Sequence, residues 1–345
     1  MKLTELLSGI ETLQRAGAPE TDITSLGFDS RHATAGQLFF AVKGSASDGH
    51  DYMAQATANG AAAVVCERLP EEPFPGVAYI VVADSSAALG TIASRFYGEP
   101  SHKLKLVGVT GTNGKTTTAT LLYDLFRRLG YKAGLISTVV YRIDNETLPS
   151  THTTPDAIRL NAMLAEMAER GCDYCFMEVS SHSIVQERIA GLTFAGGIFT
   201  NITHEHLDYH GTFAEYIRAK KRFFDRLLKG AFALVNADDR NGAVMVQNSA
   251  ATTYTYALRS FSDFRCRILE NTPEGMLLEL DGQQVWTRFL GRFNAYNLAA
   301  VYGAARLLGA DCDETLQALS TLTPVNGRFD TLHSPDGITA IVDYA

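Results

Sequence analysis

The run "LKLVGVT", Leu104 to Thr110, passes directly into "GTNGKTTT", residues 111–118. An apolar strand that enters a helix through a Gly-Lys-Thr turn constrains the fold more than any other feature of this chain. Backbone N–H groups of 111–116 can wrap a phosphate, helped by the positive end of the following helix. Lys115 then neutralises β- and γ-phosphates, and Thr116 is placed to ligate Mg²⁺. The strict pattern G-x-x-x-x-G-K-[ST] is not met, because Val109 stands five positions before Gly114. Gly111 and Gly114 remain, in the right strand–loop–helix context. The open question is which acceptor receives the terminal phosphate: water, a protein switch or a substrate carboxylate.

The surrounding chain alternates strands and helices. After "LKLVGVT" come a helix from Lys115 to Leu129, "AGLIST", a helix near 156–170, "CDYCFMEVSS", "AGGIFTNI", a helix near 212–228 and "AFALVNAD". This predicts a mainly parallel sheet flanked by helices, with ligands at the carboxyl ends of its strands. Residues 252–290 read as short antiparallel strands, followed by a helix at 294–308. The first hundred residues read as a separate small α/β unit, opened by an amphipathic helix in "MKLTELLSGIETLQ" and carrying strands at "GQLFFAVKG", "AAAVVCE" and "VAYIVVAD". Gly and Pro in "GEPSHK", 98–103, mark a boundary. The expected division is 1–100, 101–331, and a last piece at 332–345.

Charge and cysteine usage narrow the function. The net charge of -8, with no long basic run, argues against a nucleic-acid partner. No stretch is apolar for long enough to span a membrane. Five scattered cysteines fit a reduced cytoplasm. Cys172 and Cys175 form a C-x-x-C pair, but "CDYCFMEVS" reads as a buried strand, so core packing is expected.

Three further motifs carry chemistry. "FMEVSSH" puts Glu178 at a strand end, where a carboxylate is poorly placed for a core but suits Mg²⁺ beside phosphates. "FTNITHEHLDYHG" carries His204, His206, Asp208 and His210 at alternating positions. The spacing invites comparison with H-x-H-x-D-H zinc hydrolases, yet Tyr209 follows Asp208 and the last histidine comes one position late. "YIRAKKRFF" lies on a helix, so adjacent Lys220 and Lys221 point about 100° apart. A bare lysine beside magnesium would be repelled. Carbamylated by CO₂, it becomes an anionic oxygen ligand. On spacing alone, a solvated basic face is the simpler reading.

The ordered set "TGTNGKTT", "EVSSH", "FTN…HLDYHG", "YxxAK" and Gly291, Asn294, Asn297 resembles the Mur ligases of peptidoglycan synthesis. "FDSR…GQLFFAVKG…DGHDYMAQATANGAAAVV" resembles their MurE type, which adds the third residue to UDP-N-acetylmuramoyl-L-alanyl-D-glutamate. The resemblance runs from about residue 20 to the end. It implies a monomeric cytoplasmic enzyme with a UDP-binding domain, a central ATPase and a third domain that brings the amino acid. On this reading 332–345 is a first strand or linker of that third domain, whose remainder is not in the chain, and a catalytically incomplete ATP- and UDP-sugar-binding fragment is the alternative. The γ-phosphate is expected on the D-glutamate side-chain carboxylate, giving an acyl phosphate that an amine attacks. ATP falls to Thr110, Gly111, Thr112, Asn113, Gly114, Lys115, Thr116 and Thr117, with Asn297 at adenine and Arg328 and Asp343 as further nucleotide contacts. The metals fall to Thr116, Glu178, His206 and carbamylated Lys220, the lysine of the family's Ala-Lys. Ser30, Thr153, Thr154, Ser180, Gln186 and Arg188 fall to the nucleotide-sugar substrate. His204 and Glu205 receive no role. meso-Diaminopimelate is the expected amino acid, with L-lysine, or another ligase of the superfamily such as MurF, as alternatives.

Overall fold

The computed structural model describes residues 1–18, 20–44, 47–333 and 339–343. Packing divides it into two compact units. The first holds 1–101, 155–165 and 185–192, and the second holds the rest.

In the first unit, five strands form one sheet in the order β1-β5-β4-β3-β2. They are β1 (Gln14–Ala16), β2 (Ser25–Gly27), β3 (Gln37–Phe40), β4 (Ala63–Cys66) and β5 (Ala78–Val81). β2 to β5 run parallel, and β1 pairs antiparallel at the edge. Continuous apolar runs suit strands covered on both faces. Leu38, Phe40, Val65 and Ile80 pack with Leu89 and Ile92 on one face, whereas Phe39, Val64 and Tyr79 pack with Met53 and Ala56 on the other. The expected opening helix is confined to Leu3–Leu6. Gly9 turns the chain with φ +65°, and Gln14 at the segment's end already pairs with β5. Tertiary strand pairing here outweighs the helical pattern.

The second unit carries an eleven-stranded sheet. Its strands are β6 (Lys105–Thr110), β7 (Ala133–Ile136), β8 (Val140–Ile143), β9 (Glu146–Pro149), β10 (Tyr174–Glu178), β11 (Gly196–Phe199), β12 (Phe232–Asn236), β13 (Thr252–Ala257), β14 (Phe264–Thr272), β15 (Gly275–Leu280) and β16 (Gln283–Thr287). The order is β16-β15-β14-β13-β12-β11-β6-β10-β7-β8-β9. The seven strands from β14 to β7 run parallel. Antiparallel hairpins extend both edges. "TTYTYALR", expected to be antiparallel, instead lies parallel beside β12 through five residue pairs. The pairing with β12 sets the direction, which the alternating sequence leaves open. The hairpin β8–β9 was not expected.

β6 sits between β10 and β11, so chain connections leave it towards both sides. This is the switch point at which open α/β sheets bind ligands. The helix Lys115–Arg128 leaves from its end and buries Leu121, Leu122, Leu125 and Phe126 against Leu135 and Phe176. Cys172 and Cys175 are free and buried, with Cys175 inside β10, and burial raises both thiol pKa values. Asp330–His333 and Thr339–Val342 pair as an antiparallel hairpin. Of the expected last piece, 334–338 and 344–345 lie outside the described residues.

Candidate active site

The phosphate loop is built on two close approaches. Gly111 has φ +150°, and a Cβ there would collide with the Thr200 hydroxyl. Gly114 has φ +85°, and a Cβ there would lie 2.5 Å from Asn297 Oδ1. Both positions therefore need glycine. β11 and its following loop brace the turn from beneath. Thr200 Oγ1 donates to the Asn113 carbonyl at 2.6 Å. Asn201 accepts from the Asn113 amide at 3.0 Å and donates to its carbonyl at 3.1 Å. Thr112 Oγ1 lies 3.2 Å from the Tyr216 hydroxyl, and Thr110 is buried at the end of β6.

Two lysines meet at one oxygen. Lys115 Nζ donates to the carbonyls of Gly111, 3.0 Å, and Thr112, 2.7 Å. Lys220 Nζ donates to the same Gly111 carbonyl at 2.8 Å. Its helix, Phe213–Asp225, is capped by Thr212 and buries Tyr216, Ala219, Lys220, Phe223 and Phe224 along one face. Lys221 points elsewhere and pairs with Asp225 at 2.5 Å. The simpler expectation of a solvated basic face is thus overturned for Lys220, which is 1% exposed. Burial drives its pKa well below the usual lysine value, and the Lys115 charge adds to this. Burial also lowers Lys115, which the carboxylates of Glu178 and Glu205 partly offset. Two ammonium ions on one carbonyl repel, so the geometry favours a neutral Lys220 amine.

Glu178 ends β10 fully buried. The Thr138 amide donates to Oε1 at 2.7 Å, and the Thr138 hydroxyl lies 3.2 Å from Oε2. Burial raises the Glu178 pKa, while Lys115, Thr138 and the Thr116 hydroxyl work against the rise. Among the described residues it has no ion pair. A buried carboxylate held by hydroxyls and an amide, with Thr116 beside it, suits a hard cation such as Mg²⁺, which takes few protein oxygens and completes its shell with phosphate and water. Among the described residues no three His, Cys, Asp or Glu side chains form a ready-made cage. His206 is exposed, with φ +55°. Its ring packs 5.2 Å from His182 and 6.0 Å from Tyr216. Of the other histidine-motif residues, His204 stacks on Phe213 and His210 Nε2 lies 2.9 Å from Ser181 Oγ.

A cavity of about 600 Å³ opens beside the loop. Asn113, Gly114, Thr116, Thr117, Asn297, Arg328 and Asp343 all line it, although they come from distant parts of the chain. A nucleotide fits a cleft of this size. The sequence reading missed much of its wall: Asn236, Asp238, Arg259, Phe293 and Tyr296. Asp238 organises that wall. Its carboxylate accepts from the amides of Leu258, Arg259 and Ser260 at 2.8–2.9 Å and from the Tyr296 hydroxyl at 2.8 Å. Burial alone would raise its pKa, but bonds from Ser260, Tyr296 and Leu258 outweigh burial and hold it well below the carboxylate range. The only sequence signal was an acid after the strand "AFALVNAD".

The expected substrate residues fall in both units. In the second, Thr154 Oγ1 donates to the Glu178 carbonyl at 2.8 Å, Thr153 meets the Thr138 hydroxyl at 3.0 Å, and Ser180 Oγ accepts from the Ser183 amide. In the first, Gln186 Oε1 accepts from Arg188 Nε at 3.0 Å and Nη2 at 2.6 Å. Ser30 lines a cavity of about 740 Å³ with Asp29, Arg31 and Gln55. Its hydroxyl donates to Gln55 at 2.7 Å.

A parallel sheet with a glycine-lysine loop at its switch point defines a nucleotide-binding α/β protein. Residues 109–305 match the Mur ligase middle domain, and residues 22–97 match the Mur ligase family catalytic domain. The chain belongs to the Mur ligase family, whose members are ATP-dependent ligases. It is 56% identical, over its whole length and 72% of the relative's, to UDP-N-acetylmuramoyl-L-alanyl-D-glutamate--2,6-diaminopimelate ligase of Bacteroides thetaiotaomicron. Identity to the ligase of the same name from Bacteroides fragilis is 57%, over the whole chain and 71% of that relative. A solved structure of a ligase of that name superposes with a TM-score of 0.82 at 28% identity, covering 94% of this chain and 67% of the other.

Proposed function

We propose that this ligase joins 2,6-diaminopimelate to UDP-N-acetylmuramoyl-L-alanyl-D-glutamate, in the cytoplasm and as a monomer. The names of its relatives support the substrate pair. Among the described residues no helix is long and apolar enough to cross a membrane. The observation that carries the mechanism is the meeting of Lys115 and Lys220 on the Gly111 carbonyl, beside the nucleotide cavity.

ATP lies with its phosphates on the amides from Gly111 to Thr117 and its base towards Asn297. Arg328 and Asp343 make further nucleotide contacts. Lys115 exchanges its carbonyl partners for the β- and γ-phosphates. Thr116, Glu178, His206 and a carbamylated Lys220 would hold Mg²⁺, which would supply screening of the repulsion between ATP and the incoming carboxylate. The neutral Lys220 amine reacts with CO₂ by forming an N–C bond and losing one proton to solvent. Ser30 binds the nucleotide end of the second substrate, and Thr153, Thr154, Ser180, Gln186 and Arg188 its remainder. The Arg188 guanidinium offers bidentate recognition of an anion. The D-glutamate side-chain carboxylate attacks the γ-phosphorus, and the β–γ bridging oxygen leaves with ADP. The amine of 2,6-diaminopimelate then displaces phosphate from the acyl phosphate, giving the amide.

The test traps the acyl phosphate. The chain is incubated with ATP, Mg²⁺, UDP-N-acetylmuramoyl-L-alanyl-D-glutamate and hydroxylamine. A hydroxamate on the D-glutamate side chain, formed with stoichiometric ADP, is the expected result. ADP release without hydroxamate would assign the phosphate to water and overturn the reading. Incubating 2,6-diaminopimelate and L-lysine in parallel, in place of hydroxylamine, tests the amino acid.

A further inference from the structure

Thr138 follows β7 and was not singled out by any sequence motif. Its side chain stands between two parts of the site. Thr138 Oγ1 lies 3.2 Å from Glu178 Oε2 and 3.0 Å from Thr153 Oγ1. One hydroxyl has one proton and two acceptor lone pairs. The carboxylate is the stronger acceptor, since charge-assisted bonds outweigh neutral ones. Thr138 is the donor in both bonds, so its one proton is divided between two acceptors and favours the carboxylate. Thr153 and the buried Glu178 carboxylate therefore compete for the same proton. The next residue closes the arrangement from behind, because Thr154 Oγ1 donates to the Glu178 main-chain carbonyl at 2.8 Å. The segment 153–154 thus meets the Glu178 backbone directly and its side chain only through Thr138.

We propose that Thr138 is a positioning residue, whose hydroxyl couples the Thr153 hydroxyl to the Glu178 carboxylate. The proposal rests on the ligase reading above, in which Thr153 meets substrate and Glu178 meets Mg²⁺. A substrate group that donates to Thr153 Oγ1 displaces the Thr138 proton from that oxygen. The proton then rests wholly on Glu178 and strengthens that bond. Substrate engagement and carboxylate geometry then change together, as expected of a hydrogen-bonded chain in a low-dielectric site. Thr138 itself is exposed, whereas Glu178 is fully buried. Replacing the Thr138 hydroxyl with a methyl group leaves its amide bond to Glu178 Oε1 in place and perturbs no core. A purely structural role therefore predicts almost no effect.

The experiment measures ADP binding calorimetrically with and without Mg²⁺, for the unsubstituted chain, Thr138→Val, Thr138→Ser, Thr153→Val and the double valine variant. Loss of a bond to a charged group predicts an approximately tenfold smaller Mg²⁺-dependent gain in affinity for Thr138→Val. Mg²⁺-free affinity and the melting temperature stay unchanged, and Thr138→Ser restores the gain. Thr153→Val has an effect only while Thr138 keeps its hydroxyl, so the double variant equals Thr138→Val. An unchanged Mg²⁺-dependent gain in Thr138→Val overturns the coupling alone, as do additive effects in the double variant. A complete lack of Mg-ADP binding by the unsubstituted chain overturns the ligase reading and this proposal with it.

Discussion

The cavity beside Gly114 and the cavity beside Ser30 have similar volumes, about 600 and 740 Å³, but their charges are kept differently. Around the phosphate loop three charged groups are held out of water: Lys220 and Glu178 are 1% and 0% exposed, and Asp238 is enclosed by three amides and a phenol, while Arg259 on the same cavity wall stays exposed. Beside Ser30 the charges face water. Asp29 and Arg31 form a bidentate pair at 2.9 and 2.7 Å, with the arginine side chain 75% exposed. Volume alone would not separate the two. Desolvated charge does, because fixed charges act strongly only where water is excluded. Near the first cavity charge is held out of water, and at the second it is left in contact with it.

The largest effect that could break this contrast is at Lys115. Lys115→Ala removes the cation proposed to reach the β- and γ-phosphates. Mg-ADP affinity falls by about 100-fold, the loss of more than one bond to a charged partner, while UDP affinity is unchanged. Calorimetry with both nucleotides reads this directly, and an equal loss of both would erase the distinction.

Next comes Gly111→Ala. The added methyl meets Thr200, and the backbone at φ +150° resists a side chain. We expect destabilisation of about 2–3 kcal/mol by chemical denaturation, together with loss of nucleotide binding.

Asp238→Ala sharpens the comparison through pH. Its folded pKa is depressed, so its stabilisation is fully present above the unfolded value of about 3.9. That stabilisation is lost as pH falls through the folded value. At pH 7 the substitution costs about 2–3 kcal/mol, from stranded amides. The gap to the parent chain narrows below about pH 4, as melting curves across pH 2–7 will show if the carboxylate itself carries the effect.

The smallest effect is at Arg31. An exposed pair contributes about 0–1 kcal/mol, so Arg31→Ala leaves the melting temperature almost unmoved. UDP affinity falls only several-fold, and Mg-ADP affinity not at all.

Much of the architecture could be read before any folding was known. Every strand candidate from "LKLVGVT" to "AFALVNAD" is a strand, because a parallel sheet buried on both faces demands continuous apolar runs. The loop was legible because its chemistry is local: glycines, lysine and threonine act within seven residues of one another. Thr138 and Asp238 were not legible. Each is a common residue after a strand, and its role lies in what it touches, Glu178 for one and Tyr296 for the other. β13 was read with the wrong partner direction, since alternation sets which face is buried and leaves direction open.

The sequence by itself determined the phosphate loop, the mainly parallel α/β class and the family, because these depend on short-range patterns and backbone geometry. Only the tertiary structure decided that Lys220 turns inward while Lys221 pairs with Asp225. It also decided that Asn297, Arg328 and Asp343 line the same wall as Gly114. The physical reason is that burial and desolvation belong to the packed chain. A lysine on a helix becomes a depressed amine only when neighbouring elements close over it and a second cation shares its carbonyl.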